Sequence, residues 1–143
     1  MQLTLIAGVP LATLEPLQRA QNAAARLIFE LTARDHISPS LPQLHWLPVR
    51  WRIEYKLCCI MHSVHTGKCP AYLKNTVQLA ADRQSQSDLR SSTTSAYLLP
   101  RLKTKFGERA FSHAGPSAWN ALPTHIRDVP SPNSFRKLLK THF

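Results

Sequence analysis

The sequence is poor in acid, in glycine and in cysteine, and each shortage closes off chemistry. Its 143 residues include 8 Asp and Glu, and the four aspartates, Asp35, Asp82, Asp88 and Asp128, stand far apart with no acidic neighbour. Polymerases and nucleases that use two metals need clustered carboxylates to hold the ions, so no such centre is expected. Only four glycines occur: Gly8, Gly67, Gly107 and Gly115. They form neither a phosphate-cradling loop nor a G-x-S-x-G elbow, and no H-E-x-x-H pair is present. The chain is therefore read as non-enzymatic, with no cofactor.

The three cysteines, Cys58, Cys59 and Cys69, are odd in number and two are adjacent, which suits no disulfide framework. A reducing compartment, nuclear or cytoplasmic, is expected. Long apolar runs are missing too. The stretch from Met1 to Leu14 has no positive flank, is interrupted by Gly8 and Pro10, and is too short to span a bilayer. Neither a signal peptide nor a membrane partner is expected.

What is abundant is positive charge. Lys and Arg number 18, giving a formal charge of +10 and a pI near 10.2. Such a field attracts polyanions, nucleic acid first. From residue 83 onward there are ten basic and three acidic residues, against eight and five before it. Arg101, Lys103, Lys105 and Arg109 form one cluster opposed only by Glu108, and Arg136, Lys137 and Lys140 form another. These seven are the candidate phosphate contacts, which would be salt-sensitive and blind to sequence. Phe106, inside the first cluster, is either a core residue or a platform for a stacked base. Trp46, Trp51 and Trp119 have the same two options, and the area a Trp buries favours the core.

The periodicity predicts a mainly α, small, irregular helical domain. Leu17, Ala20, Ala24, Leu27, Ile28 and Leu31 recur at helical spacing, so a helix is expected over 14–32 with Thr13 as its cap. A short helix is expected after Ser38-Pro39. A long one should run from Pro48 to about His65, closed by Gly67. On that helix Ile53, Leu57, Ile60, Met61 and Val64 form one stripe, and Trp51, Tyr55, Cys58, His62 and His65 a second, so burial on both sides is expected. A further turn is placed at Pro70–Leu73. A polar loop should fill 76–95, dividing a helical part at 1–75 from a basic part at 96–143. There a short extended segment is expected near 97–106. Two helical turns should follow, split at Gly115-Pro116. A last helix is expected over 133–141, capped by Ser131, with Phe135, Leu138 and Leu139 on its apolar side.

Cys58, Cys59, His62, His65 and Cys69 carry zinc-ligand chemistry, but their spacing matches no standard finger. Three of them share the second stripe with Trp51 and Tyr55, so packing is the favoured reading.

Several stretches taken together resemble a known family. They are Leu17 to Ile28 (LQRAQNAAARLI), Leu44 to Val49 (LHWLPV), Arg52 to Lys56 (RIEYK) and Leu89 to Ser92 (LRSS). Then come Gly107 with Arg109-Ala-Phe111, Pro116 with Trp119-Asn-Ala-Leu-Pro123, Ile126-Arg127, and Ser134-Phe135 through Thr141. In this order and at these gaps they resemble the carboxy-terminal region of reverse transcriptases from non-LTR (LINE-type) retrotransposons. The resemblance covers nearly the whole chain. It implies helices downstream of the polymerase palm that steady nucleic acid, and it carries over no catalytic residue. Cys58 and His62 depart from the bulky apolar residues of that pattern. Met1 just before the matched region suggests a truncated copy.

The leading expectation is a non-catalytic module that binds RNA, DNA or their hybrid. A second is a helical protein-interaction module working through the Leu17, Ala24, Leu27 and Leu31 face, which would sit exposed where a polymerase had docked. A third is a non-functional remnant of a truncated element.

Overall fold

The computed structural model describes residues 8–80 and 95–143. It is mainly helical, and its helices begin where prolines stand. The helices are α1 (Leu11–Ile28), α2 (Ser40–Gln43), α3 (Val49–His65), α4 (Ala71–Lys74), α5 (Phe111–Asn120), α6 (Thr124–Arg127) and α7 (Pro132–His142). Pro10, Pro39, Pro48, Pro70 and Pro123 each directly precede one of them, and Pro132 opens α7 behind Ser131. The ring presets φ and removes a donor that a first turn leaves unpaired anyway.

The central element is α3, which packs against α1, α5 and α7. One side carries Val49, Ile53 and Leu57 against Leu14 of α1 and Ala114 of α5. The other carries Cys58, Met61 and Val64 against Trp119, Leu122, Ile126, Phe135 and Leu139. The two-sided burial expected from its stripes is present. Its end is the expected glycine stop: Gly67 has φ 69°, Lys68 donates to the Ser63 carbonyl at 2.8 Å, and Gly67 donates to Val64 at 3.1 Å.

The first helix departs from expectation in bounds and in orientation. It starts at Leu11 behind Pro10, so Thr13 lies inside it rather than capping it, and it stops at Ile28. Its buried residues are Leu14 and Ala25, while Leu17, Leu27 and Ile28 are 48%, 81% and 55% exposed. The cause is a polar demand from α3. Its first N–H groups have no partner within the helix. The Val49 N–H donates to Gln18 Oε1 at 2.9 Å, and Gln21 Nε2 donates to the Leu47 carbonyl at 2.9 Å. The stripe Leu14, Gln18, Gln21, Ala25 therefore faces α3, and the apolar Leu17–Leu27 stripe turns away.

Just past α1, Glu30 sits at φ 53°, and Leu31 donates to the Arg26 carbonyl at 3.0 Å. This is the position glycine normally fills. Glu30→Gly should raise stability by about 1 kcal/mol, because the Cβ penalty of the left-handed region is lost. A thermal melt should then shift up by several degrees, and an unchanged or lower melting temperature would contradict the assignment.

Two expected turns near 109–122 are one helix. Only Gly107–Arg109 forms a separate 3-10 turn, and α5 runs unbroken through Gly115 and Pro116. Its irregular residues are accommodated by packing. Gly115 is buried, and a Cβ there would lie 2.9 Å from Met61 Sδ and 2.9 Å from Phe111 Cε2, so its bare backbone lets α5 approach α3. Helix α6 was not anticipated, although Pro123 marks its start. The last helix matches its expected cap and bounds closely, with Phe135 and Leu139 buried and Leu138 42% exposed.

Most of the polar loop expected at 76–95, from 81 to 94, lies outside the described residues. At its near end Val77 is buried, and Leu79 pairs with Tyr97 as an isolated antiparallel bridge. Asn120 completes the clamp. Its Nδ2 donates to the Tyr97 carbonyl at 2.7 Å, and its Oδ1 accepts from the Tyr97 N–H at 2.9 Å. The extended piece is confined to this neighbourhood, because residues 101–102 are irregular and 103–106 form bends and turns rather than a strand.

Candidate nucleic-acid interface

Burial of Phe135 and Leu139 fixes how α7 presents its cations. Positions 136, 137 and 140 fall away from that apolar side, and all three are exposed. Lys137 and Lys140 line an open cleft of about 680 Å³ together with Trp46, Trp51 and Phe143. The opposite wall is the α2–α3 connection. There Trp46 donates to the Leu41 carbonyl at 2.8 Å and His45 to Pro42 at 2.9 Å, which holds His45 at φ 55°. Trp51, in the first turn of α3, stacks on Phe143 with centroids 5.2 Å apart and planes at 26°. The Arg50 guanidinium lies 4.8 Å from the Trp51 ring centre. The lining includes two lysines and a histidine, and neither Asp nor Glu. Such a cleft suits an anionic ligand that also has a flat apolar face.

The remaining candidate cations lie elsewhere. Arg136 stands beside Tyr55 and Cys59, where its charge opposes the rise that burial imposes on both groups' pKa values. Arg101, Lys103 and Lys105 are exposed on the irregular segment that precedes the 3-10 turn. Arg109 is half-buried, with its side chain against Gly8. The structure thus brings Lys137 and Lys140 into one site but not the 101–109 cluster. Phe106 is 79% exposed, which overturns its core alternative and leaves a bare phenyl ring among three cations.

The tryptophans divide. Trp119 is fully buried, as expected, and its Nε1 donates to the Ser95 carbonyl at 2.9 Å. Trp46 and Trp51 are only half-buried, and both line the cleft. Sequence reasoning missed this, because the partners of those rings come from the far end of the chain. The one local signal was His45 and Trp46 between Pro42 and Pro48 with Trp51 three residues on, too short a stretch to bury both rings itself.

The cysteine and histidine cluster is spent on packing. Cys58 is fully buried, and burial, with smaller contributions from Cys59 and Glu54, pushes its thiol up to about 12. His62 is 2% exposed, stacks on Phe135 at 4.1 Å, and its Nε2 lies 2.8 Å from the Val129 carbonyl. A carbonyl only accepts, so Nε2 carries the proton. Burial also lowers the pKa of His65. Among the described residues no three His, Cys, Asp or Glu gather where a metal could bind.

These shifts predict a pH window. Cys58 is held neutral in the fold, so its contribution is complete below its ordinary value of 9.0 and is lost as pH climbs toward about 12. His65, with its folded pKa depressed, contributes above its ordinary 6.5 and loses that contribution as pH falls through the lowered value. Stability measured by denaturant titration should be greatest between these limits. In the same window Cys58 should resist a thiol reagent until the chain unfolds, and rapid labelling of Cys58 in the folded protein would contradict its burial.

Among the described residues no helix is long and apolar enough to cross a membrane. Comparison with protein families, with curated proteins and with solved structures gave no match.

Proposed function

We propose that the chain is a non-catalytic nucleic-acid-binding module that grips backbone phosphates, of the kind that follows the palm in non-LTR retrotransposon reverse transcriptases. The observation that carries this reading is the clustering of cations on exposed positions of a chain with net charge +10: Lys137 and Lys140 at one cleft, Arg101, Lys103 and Lys105 on one irregular segment. None of these five has a salt-bridge partner among the described residues, so their charge is available to a ligand. Some of the family-like residues are part of the scaffold: Trp119 and Leu122 are buried, Asn120 clamps Tyr97, and Gly107 opens a turn. Binding is argued from charge. Replacing Arg101, Lys103 and Lys105 with Ala should weaken binding evenly across sequences and flatten the salt slope by about three units at most. Unchanged binding in that variant would remove this run from the interface.

A second reading has its own observation. Leu17, Leu27 and Ile28 leave an apolar stripe of α1 uncovered, with Leu27 81% exposed. A protein partner bound there would persist in high salt. A chain that sediments as a monomer at every concentration and captures nothing through α1 would count against it.

A further inference from the structure

Phosphate binding alone does not use the aromatic half of the cleft between α7 and the α2–α3 connection. We propose that this cleft takes an unpaired nucleobase of a single strand, with the phosphates beside that base held by Lys137 and Lys140. The inference rests on the nucleic-acid-binding reading and narrows its ligand from any polyanion to one with free bases.

Three observations converge on this ligand. The first is size: at about 680 Å³ the cleft falls within the roughly 300–1,000 Å³ usual for small-ligand sites. A duplex cannot enter a space of that size, whereas one nucleotide can. The second is surface. Trp51 already stacks a ring, that of Phe143, nearly parallel to itself, so this wall accepts planar groups face to face. Trp46 is half-exposed and stacks on no other ring among the described residues, which leaves its indole for a ligand. Stacking on an aromatic side chain tolerates every base, as a sequence-blind binder requires.

The third observation is charge. Lys137 and Lys140 are one turn apart on α7, and no carboxylate side chain lines the cleft. A cationic ligand, such as a methylated lysine, would meet like charges. A neutral proline-rich peptide would find apolar walls but would leave both lysines without a counter-charge. A nucleotide satisfies the rings and the lysines together.

The test compares three nucleic-acid probes against the full chain, at low salt and then as salt rises: a short oligoadenylate, an abasic oligomer with the same number of phosphates, and a blunt duplex; a proline-rich peptide is the fourth, control probe. The chain and its Trp46→Leu and Trp46→Tyr variants are each shown to be folded by circular dichroism. The oligoadenylate should bind roughly 5- to 100-fold more tightly than the abasic oligomer, the worth of one stacked base. It should also bind more tightly than the duplex. Trp46→Leu should abolish that preference, and Trp46→Tyr, which keeps a ring, should retain most of it. If all three probes bind equally and lose affinity alike with salt, the phosphate-gripping reading stands and the base-binding cleft is overturned. If none binds, both fall. If a proline-rich peptide binds in a Trp46-dependent way and the oligoadenylate does not, the cleft is a peptide groove and the proposal is wrong.

Discussion

Trp119→Ala should leave a chain that no longer folds cooperatively at physiological temperature. Trp119 is fully exposed to its neighbours and to no solvent: it touches the His62 and His65 rings at 6.4 and 5.3 Å, Tyr97 at 6.3 Å and Phe135 at 5.9 Å, centroid to centroid. Truncating a buried Trp costs about 3–5 kcal/mol through lost transfer energy and the cavity left behind. Losing its N–H also leaves the Ser95 carbonyl without that donor. A domain of this size is stable by only about 5–15 kcal/mol, so the substitution removes roughly a fifth of the total at the least and nearly all of it at the most. Trp119→Phe separates the two causes. It keeps most of the ring packing and gives up the hydrogen bond, for about 1–2 kcal/mol. A denaturant titration of both variants checks this. A Trp119→Ala chain as stable as the parent would mean that the core is not organised around α3, α5 and α7 as described.

The second large effect concerns binding rather than folding. Changing Lys137 and Lys140 together to Glu should weaken nucleic-acid binding roughly 100- to 1,000-fold at low salt. Each lysine near a phosphate gains about 1 kcal/mol in water at 4 Å, and a glutamate there meets repulsion of similar size. Two such swings total about 4 kcal/mol, reduced by screening as salt rises. The fold should tolerate the change. Both positions are exposed on α7, and glutamate favours helix. Lys140 lies in the last turn, where a negative charge opposes the helix dipole for about 0.3–1 kcal/mol, too little to unfold the domain. Equal binding by parent and double variant would place the interface elsewhere, on the 101–105 segment or on no basic surface at all.

Much of the helix content was legible because local chemistry decided it. Prolines mark the starts of α2, α3 and α4, Ser131-Pro132 starts α7, and Gly67 stops α3. The stripes of α3 announced burial on both sides because seventeen residues of regular helix leave the pattern intact. What was not legible depended on partners distant in sequence. The side of α1 that faces inward is set by the unpaired Val49 N–H reaching Gln18, 31 positions away, and this overrides the apolar stripe that the helix displays. Gly115 and Pro116 look like a break, yet α5 continues through them because the glycine is needed for close approach to Met61. The cleft itself joins residues 38–51 to residues 137–143, and no local pattern in either segment announces the other. Arg136, Lys137 and Lys140 stood out in the sequence as candidate phosphate contacts, but the aromatic rings beside Lys137 and Lys140 did not.

The most direct test of the central claim is fluorescence-anisotropy binding of the purified, folded chain to a short RNA–DNA hybrid across a range of salt. If the five exposed cations Arg101, Lys103, Lys105, Lys137 and Lys140 meet phosphates, the logarithm of affinity should fall linearly with the logarithm of salt concentration. The loss between about 50 and 200 mM should be roughly several hundredfold, with little dependence on sequence. Absence of binding at low salt, or binding that salt leaves unchanged, would contradict the account and make the uncovered stripe of α1 the surface to pursue.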